Sequence, residues 1–224
     1  TRRLLGTQSL VNLAHATILI AGCGGVGGAS AITLARMGVG KFILADPGFF
    51  DPPDANRQWG ADLTSMGNNK AIHYAELLQN INPNIKVLVY KEGVTTQNVE
   101  ELVNEADLVI DCLDVSVEMS LRAKVFSHAY KQGIFCISAP VIGFGVLQVV
   151  CNPEGETMTP FISFLDKILR TKKLPNLFRN AYSDIALDSI EQNLASGKIP
   201  SLSIGPLVAT SLVTTEVTII LQNK

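Results

Sequence analysis

A glycine-rich turn set between two apolar runs constrains the fold more than any other feature of the sequence. It lies in the stretch from Ala16 to Asp46, where Ile18 to Ala21 forms an unbroken apolar run typical of a strand buried on both faces. Glycines in Gly-x-Gly-x-x-Gly spacing follow, and apolar residues then recur at helical spacing from Ala29 to Met37. A second apolar run, Phe42 to Ala45, ends at Asp46. This order of elements predicts a β-α-β unit with a phosphate-binding turn.

The residues of this turn suit a nucleotide for physical reasons. Gly22, Gly24 and Gly27, with Gly25 between them, let the backbone approach a phosphate closely. The helix that follows offers unpaired N–H groups and the positive end of its dipole. Asp46, about 20 residues beyond the turn, suits the ribose hydroxyls. The sequence therefore predicts nucleotide binding, and a tight β-α turn without a ligand is the alternative.

Composition argues against several other classes of protein. With 224 residues, of which 47% are hydrophobic and 17% charged, the chain suits one α/β domain spanning residues 1–224. A net charge of −2 gives no basic excess for nucleic acid. No uncharged apolar run reaches the roughly 18 residues of a membrane span, and the N-terminus has no signal-peptide pattern. The four cysteines, at positions 23, 112, 136 and 151, form no C-x-x-C pair, which favours reduced thiols in a cytoplasmic protein.

The remainder of the chain continues the alternation of strands and helices. The proline-rich segment 47–54 is predicted to be neither helix nor central strand. Apolar patterning predicts further strands over 86–90, 108–114, 134–139 and 146–151, and helices over 71–80, 97–104, 117–132 and 207–221. The more polar segment 152–200 carries two amphipathic stretches and is predicted to be a helical insertion. The expected fold is Rossmann-like α/β, a mainly parallel sheet with helices on both faces.

Polar and charged side chains cluster where the predicted strands end. They comprise Asn56, Arg57 and Gln58 after the second strand, Lys70 at the start of the next helix, and Asp111 and Asp114 at and beyond the end of a later strand. Open α/β sheets bind ligands at this carboxyl edge. Cations on phosphate oxygens and a carboxylate for Mg²⁺ are what nucleotidyl or phosphoryl transfer requires. The sequence has no G-x-x-x-x-G-K-[ST] segment, which excludes a P-loop protein.

Five motifs, in this order and approximate spacing, resemble the ThiF family, the adenylyltransferases that activate ubiquitin-like and sulfur-carrier proteins. They are Gly22-Cys-Gly-Gly-Val-Gly, Asp46, Asp54-Ala-Asn-Arg-Gln58, Gly67-Asn-Asn-Lys70 and Asp111-Cys-Leu-Asp114. The match covers about residues 2–150, and Ser203-Ile-Gly-Pro resembles the closing segment of the family. The chain is most similar to the bacterial ThiF-like proteins without zinc motifs.

The resemblance implies a reaction and a role for each residue. A carboxylate, usually the C-terminus of a ubiquitin-like protein, a sulfur carrier or a peptide, would attack the α-phosphate of ATP and give an acyl-adenylate and pyrophosphate. The implied nucleotide site comprises Gly22, Gly24, Gly25, Gly27, Asp46, Asn56, Arg57, Gln58, Lys70 and Asp111. Asp114 would hold Mg²⁺, and Arg57, Lys70 and Asp114 would serve catalysis. Arg3 is the candidate for an N-terminal arginine that, in this family of homodimers, often reaches into the site of the other subunit.

Three departures from the family pattern bear on the prediction. No paired C-x-x-C motif is present, so no zinc is expected. No cysteine follows Cys151, so the sequence does not favour a thioester step. Val115 follows Asp114 where the family has asparagine, which removes one polar contact.

Two other functions stay open from the sequence. An NAD-dependent oxidoreductase would share the glycine turn and Asp46, but it would place a histidine or tyrosine near the nicotinamide. His15, His73 and His128 all lie on or beside predicted helices instead. A nucleotide-binding scaffold that has lost turnover would keep the same fold. The sequence does not identify the carboxylate substrate.

Overall fold

Strands and helices alternate along most of the chain. The computed structural model describes residues 2–197 and 199–223, so Thr1, Lys198 and Lys224 of the predicted 1–224 domain lie outside the described residues. The strands are β1 (Thr17–Ala21), β2 (Lys41–Ala45), β3 (Lys86–Tyr90), β4 (Leu108–Asp111), β5 (Phe135–Ser138), β6 (Val141–Ile142), β7 (Gly145–Val146) and β8 (Val149–Cys151). The helices are α1 (Arg2–His15), α2 (Gly25–Met37), α3 (Lys70–Ile81), α4 (Val99–Asn104), α5 (Met119–Lys131), α6 (Thr159–Thr171), α7 (Asn176–Arg179), α8 (Asp184–Ala195) and α9 (Ile204–Gln222).

The main sheet has six strands in the order β3-β2-β1-β4-β5-β8. All neighbouring strands are parallel except β8, which pairs with β5 in the antiparallel sense. A separate two-stranded ladder joins β6 to β7. This mostly parallel sheet, covered by helices, confirms the predicted Rossmann-like α/β class.

Helices cover both faces of the sheet because its central strands are apolar on both sides. Along β1, Ile18 and Ile20 lie in one apolar cluster with side chains of α2, α3 and α9. Leu19 and Ala21 lie in a second cluster with α4, α5 and α6. Successive side chains of a strand point to opposite faces, so a continuous apolar run is what a doubly covered strand requires.

Helix α9 packs along α2 and α1. Val213 and Val217 are fully buried, and Asn12 Nδ2 on α1 donates a hydrogen bond of 3.0 Å to Leu221 O. Among the described helices, α9 alone is long and apolar enough to cross a membrane, and 56% of that window is buried inside the protein. Packing against the core therefore accounts for much of its apolar character.

Three segments differ from the sequence-based prediction. The strand expected over 108–114 ends at Asp111, and a loop follows. The expected strand over 146–151 is two strands, because Val146 pairs with Val141 in the small ladder whereas Val149 pairs with Ser138 in the main sheet. The prediction that 47–54 contains no helix is also wrong, since Pro52–Asn56 forms a 3₁₀ helix with a capping box between Asp51 and Asp54. The fixed φ of proline suits the first turn of a helix, so prolines that exclude a long helix favour a short one there.

The helices that follow β8 have an apolar cluster of their own. It comprises Ile168, Leu174, Tyr182, Leu187, Ile190 and Leu194, together with Ile142 of β6. The Tyr182 hydroxyl donates to Ile142 O and accepts from Gly145 N, so the helical segment is fastened to the β6–β7 hairpin.

Helix α3 lies against α2 at a position where α2 has no side chain. A Cβ atom on Gly28 would lie 2.0 Å from Tyr74 Cζ. Tyr74 is fully buried, and its hydroxyl accepts a hydrogen bond of 2.9 Å from Gly60 N. Gly28 therefore makes the space into which the tyrosine ring fits.

Candidate functional site

The carboxyl ends of four parallel strands form the edge of the sheet that carries the predicted polar residues. The strand register places Ala21 of β1 beside Ala45 of β2 and beside Asp111 of β4. Asp111 in turn lies beside Ser138 of β5, and Asp46 follows Ala45 directly. The groups predicted to meet at strand ends therefore converge on one edge.

The glycine turn between β1 and α2 has little room for side chains. Gly22 has a φ of 97°, and a Cβ atom on it would lie 2.3 Å from Cys112 O. A Cβ atom on Gly27 would lie 1.9 Å from Gly22 O. At Gly24, the residue that caps α2, an added Cβ atom would meet nothing within 4 Å. No side chain of the described residues caps this helix, so its first N–H groups are available to an anion.

Two backbone N–H groups hold the carboxylate of Asp46. Its Oδ2 accepts a hydrogen bond of 2.6 Å from Cys23 N, and its Oδ1 accepts one of 2.6 Å from Gly48 N. The residue is 9% exposed. Each carboxylate oxygen keeps a further lone pair for a hydroxyl donor, as a ribose would supply.

Asp54 joins three of the side chains predicted for the nucleotide site. Its Oδ2 lies 2.9 Å from Lys70 Nζ, and its Oδ1 lies 3.3 Å from Arg57 Nη2. Gln58 Nε2 donates a hydrogen bond of 2.5 Å to the same Oδ1. The backbone turn that ends the 3₁₀ helix brings Arg57 and Gln58 back to Asp54, because the N–H groups of both residues donate to Asp54 O. One buried carboxylate thus sets the positions of two cations and an amide.

Lys70 is the first residue of α3, where a cation opposes the helix dipole. Asp54 supplies the anion that offsets this cost. Asn69 caps α3 by accepting from Ile72 N at 3.2 Å, and its Nδ2 donates to Asp46 O at 3.1 Å. The start of α3 is therefore tied to the loop after β2, which carries Asp46.

Asp111 forms a buried ion pair with a residue that the sequence did not suggest. Its Oδ2 lies 3.2 Å from Arg122 Nε and accepts a hydrogen bond of 2.8 Å from Ser138 Oγ. Arg122 also donates to Leu113 O and, at 3.4 Å, to Asp114 O. Since Asp111 is 3% exposed and already paired, it anchors the loop after β4, and its contact with a nucleotide stays a prediction.

Asp114 lies on that loop and is exposed. Its Oδ1 accepts a hydrogen bond of 2.9 Å from Ser116 N. Within the described part of the chain, Oδ2 has no hydrogen-bond partner and stays open to a ligand. The backbone that carries Asp114 is fixed by Arg122, whereas its carboxylate is left accessible.

A single cavity of about 510 Å³ brings most of these groups together. Its lining includes Gly22, Gly24, Gly25, Gly27, Asp46, Asp54, Arg57, Gln58, Lys70, Asp111, Asp114 and Arg122. This volume falls within the range of roughly 300–1,000 Å³ that small-molecule sites occupy. Gln58 Oε1 is buried there without a hydrogen-bond partner among the described residues, so it can accept from a bound hydroxyl or water.

Two predicted site residues lie outside this lining. Asn56 is exposed, and its Oδ1 accepts a hydrogen bond of 3.0 Å from Arg57 Nη1, so it contacts the site only through its neighbour. Arg3 is exposed on α1, which packs against α9. Its action in the site of another subunit stays a prediction.

Sequence reasoning missed the roles of Asp54, Arg122 and Ser138. Asp54 stands inside a quoted motif but has no conspicuous spacing to Lys70. Arg122 had a usable signal, since it falls on the buried stripe of α5 with Val125, Phe126 and Ala129. A charged residue at the helical spacing of an apolar face is expected to have a buried partner.

Burial disfavours the reactive thiolate form of the cysteines near the site. Burial raises the pKa of the Cys23, Cys112 and Cys136 thiols, and neighbouring Asp46 or Asp111 raises it further. Burial also raises the pKa of Cys151. Since the thiolate is the reactive form, these side chains act as small apolar residues.

Comparison with known proteins finds relatives over half to two thirds of this chain. Protein HesA from Nostoc sp. is 36% identical over 116 residues, which cover 52% of this chain and 46% of HesA. The sulfur carrier protein ThiS adenylyltransferase of Escherichia coli is 28% identical over 151 residues, which cover 67% of this chain and 58% of that protein. The chain spans about half the length of the curated relatives that it matches.

A solved structure shows the same fold. The E. coli tRNA N6-threonylcarbamoyladenosine dehydratase TcdA, in complex with ATP, has a TM-score of 0.71 to this chain at 21% identity. The superposition covers 99% of this chain and 92% of TcdA. A family model described as ThiF family matches residues 1–224, and the chain therefore belongs to the ThiF family.

Proposed function

We propose that this chain is an ATP-dependent adenylyltransferase that activates a carboxylate as an acyl-adenylate and releases pyrophosphate. The observation that carries this proposal is the convergence, in one cavity, of an uncapped helix N-terminus, the cations Arg57 and Lys70, and the open carboxylate of Asp114. The relative from E. coli is named as an adenylyltransferase, and TcdA binds ATP.

The nucleotide has a natural position among these groups. The ribose hydroxyls would donate to Asp46, whose oxygens are held by Cys23 N and Gly48 N. The phosphates would lie against the N–H groups of the glycine turn, within reach of Arg57 and Lys70. Both cations are already oriented by Asp54, so little side-chain freedom is lost when phosphate binds.

Magnesium would be held by Asp114 and the phosphates. The described residues contain no cluster of three His, Cys, Asp or Glu side chains that could form a complete protein site. A single accessible carboxylate fits Mg²⁺ all the same, because this ion usually keeps several waters and takes phosphate oxygens as ligands. When bound, Mg²⁺ would neutralise negative charge on the leaving pyrophosphate.

The reaction needs charge neutralisation and alignment more than a protein nucleophile. A carboxylate oxygen forms a bond to the α-phosphorus while the bond from that phosphorus to the bridging oxygen of pyrophosphate breaks. Arg57 and Lys70 stabilise the charge that develops on the phosphoryl oxygens. Because burial raises the pKa of the Cys112 thiol that lines the cavity, the adenylate would pass to a nucleophile from outside this chain.

The proposed partners follow from the same site. The substrate would be the C-terminus of a ubiquitin-like protein, a sulfur carrier or a peptide. A homodimer is proposed because α9 exposes Leu207, Val208, Leu212 and Ile219 on its outer side. Arg3, on neighbouring α1, would then lie near the subunit boundary. Four free cysteines suit a reducing, cytoplasmic setting.

Thermal unfolding with ATP, AMP and NAD, each with and without Mg²⁺, tests the proposal. A nucleotide at about 100 times its Kd stabilises the folded state by about 2.7 kcal/mol, which is readily measured. We expect Mg²⁺-dependent stabilisation by ATP that Asp114→Asn removes. Asp188→Asn is the matched control, because Asp188 is exposed on α8 and does not line the cavity. Stabilisation by NAD alone, or an unchanged response to Mg²⁺ and ATP in Asp114→Asn, would refute the proposal.

A further inference from the structure

The cavity has a second part, distinct from the polar groups described above. This apolar chamber is lined by Val141 and Ile142 of β6, Phe164 and Ile168 of α6, Phe178 of α7, and Ile199. Every charged side chain in the described lining of the cavity comes from residues 22–122. Beyond Arg122, the described lining residues carry no charge, so this end is suited to an uncharged group.

The chamber keeps apolar surface open although its wall is well packed. Phe164, Phe178 and Ile199 border the apolar cluster of α6–α8 and are only partly buried against it. The rings of Phe164 and Phe178 lie with their centroids 6.3 Å apart. When an apolar ligand covers apolar surface of this kind in a binding cavity, the free energy of the system falls, which favours binding.

The chamber adjoins the glycine turn. Pro206, in the first turn of α9, lies 3.0 Å from the position of a Cβ atom on Gly25, so both residues belong to the shared wall. The chain just before α9 is fixed to the β6–β7 hairpin, since Gly143 N donates to Pro200 O at 2.8 Å and Leu202 N donates to Gly143 O at 3.0 Å. These bonds hold residues 200–202 beside the hairpin that carries Val141 and Ile142 of the chamber.

The strand order separates the chamber from the place of the adenine base. Asp46 follows β2, whereas the chamber lies beyond β5, and these strands stand on opposite sides of β1 and β4. Pro47 and Val94 form a smaller apolar surface on the β2–β3 side, next to Asp46. A base attached to a ribose at Asp46 would lie there, which leaves the chamber for the second substrate.

We infer that the apolar chamber receives the side chain next to the activated carboxylate, so that the substrate ends in a bulky apolar residue. This inference rests on the proposed adenylyltransferase function and narrows its substrate class. A Gly-Gly terminus has no side chain to fill the chamber, and an acidic residue would lose its hydration without finding a cation among the described lining residues of the chamber. Apolar pockets distinguish substrates by about 10- to 200-fold per methylene group.

Stable mimics of the acyl-adenylate test the inference without turnover. In 5′-O-(N-acyl-sulfamoyl)adenosines a sulfamoyl group replaces the phosphate, and the acyl group can be N-acetylglycyl, N-acetylleucyl, N-acetylphenylalanyl or N-acetylaspartyl. Their Kd values, with AMP as the reference, are measured by calorimetry. We expect the leucyl and phenylalanyl compounds to bind at least about tenfold more tightly than the glycyl and aspartyl compounds.

Variants then locate the preference in the structure. Phe164→Ala and Phe178→Ala each should reduce the preference for the leucyl and phenylalanyl compounds at least about threefold. The Kd for AMP should stay unchanged. Phe161→Ala is the matched control, because Phe161 lies on the same helix but packs on Phe126 with ring centroids 5.9 Å apart and does not line this cavity. Phe161→Ala should weaken the packing of α6 on α5 and leave the preference for apolar acyl groups unchanged.

The outcomes separate the two proposals. If AMP binds and the four acyl compounds have equal Kd values, the apolar chamber is not an acyl site, and the adenylyltransferase proposal stands. If Phe164→Ala weakens AMP itself, the chamber holds the base and the inference is overturned. If neither AMP nor any acyl compound binds, the proposed function fails, and the inference fails with it.

Discussion

Lys70 Nζ lies 2.9 Å from Asp54 Oδ2, and both side chains are largely shielded from water, with exposed fractions of 14% and 11%. The cation proposed for the triphosphate is therefore paired before any nucleotide arrives. Lysine has three N–H donors, so Lys70 can keep Asp54 while it binds a phosphate oxygen. The pair orients the cation and shields it from solvent.

Replacing Lys70 should have two effects that can be measured separately, one on ATP binding and one on stability. In Lys70→Gln we expect at least about a tenfold weaker Kd for ATP with Mg²⁺, because a charge-assisted bond to phosphate is lost. We also expect a loss of about 1.5–3 kcal/mol in the free energy of unfolding, because Asp54 loses a charged partner. Urea titration and calorimetry measure the two effects. Lys173→Gln, at an exposed position outside the cavity, should change neither.

Two glycines of the turn should respond differently to alanine. Gly27→Ala should cost about 3 kcal/mol of stability, since the new methyl group would collide with Gly22 O. Gly24→Ala should cost less than about 1 kcal/mol, because glycine is only modestly better than alanine at a helix N-cap. It should nevertheless weaken ATP at least about tenfold, because the methyl group would occupy open space in the cavity. Equal stability of the two variants, or unchanged ATP binding by Gly24→Ala, would contradict this reading of the turn.

Removing Arg122 should show how much its ion pair with Asp111 stabilises the protein. Arg122→Met leaves a buried carboxylate unpaired, and we expect a loss of about 3–5 kcal/mol in the free energy of unfolding. The double variant Asp111→Asn with Arg122→Met should recover much of this loss, so a double-mutant cycle should give a coupling of at least about 1 kcal/mol. Arg36→Met, at an exposed position on α2, is the control. Additive effects of the two changes would show that the pair does not stabilise the loop after β4.

Alkaline pH should destabilise the protein through its buried thiols. An unfolded cysteine titrates near pH 9.0, whereas burial raises the pKa of Cys136 in the folded state. Above that pH the unfolded chain binds fewer protons than the folded chain, so the free energy of unfolding falls as pH rises, by about 1.4 kcal/mol per unit for each such thiol. Below it both states are protonated, and this contribution to stability is fully present.

The slope can be assigned to a single residue. Urea titrations above pH 9.0 should give a less steep decline for Cys136→Ala than for the wild type. Val109→Ala is the matched control, because Val109 is fully buried and pairs with Cys136 in the sheet but does not titrate. It should lower stability at every pH and leave the slope unchanged. Identical slopes in Cys136→Ala and the wild type would contradict the assignment.

Much of the fold was accessible to sequence reasoning because its signals are local. The apolar run at 18–21, the glycine spacing and the helical pattern of 29–37 each report on a few neighbouring residues. The first turn of α2, from Gly25, was not predicted because glycine carries no apolar pattern. The split between β7 and β8 was not predictable in this way. It depends on Val146 and Val149 pairing with different sheets, which is a property of the assembled chain.

The candidate site shows the same limit. Asp46, Lys70 and Asp114 follow from their places at strand ends and helix starts. Asp54 and Arg122 do not, because their partners lie 16 and 11 residues away along the chain, at spacings set by loops. Such buried partners determine where a cation or a loop is held, although they need not touch the ligand.

The contact between Gly28 and Tyr74 links two positions that are 46 residues apart. Any side chain larger than hydrogen at position 28 would occupy the space of the aromatic ring, so a change there is tolerated only together with a smaller residue at position 74. Homologous sequences should therefore vary at these two positions in concert. A library randomised at both positions should recover pairs of residues that fold and that neither single-site library contains. In such pairs without a tyrosine at position 74, the hydrogen bond from Gly60 N to the Tyr74 hydroxyl would be lost.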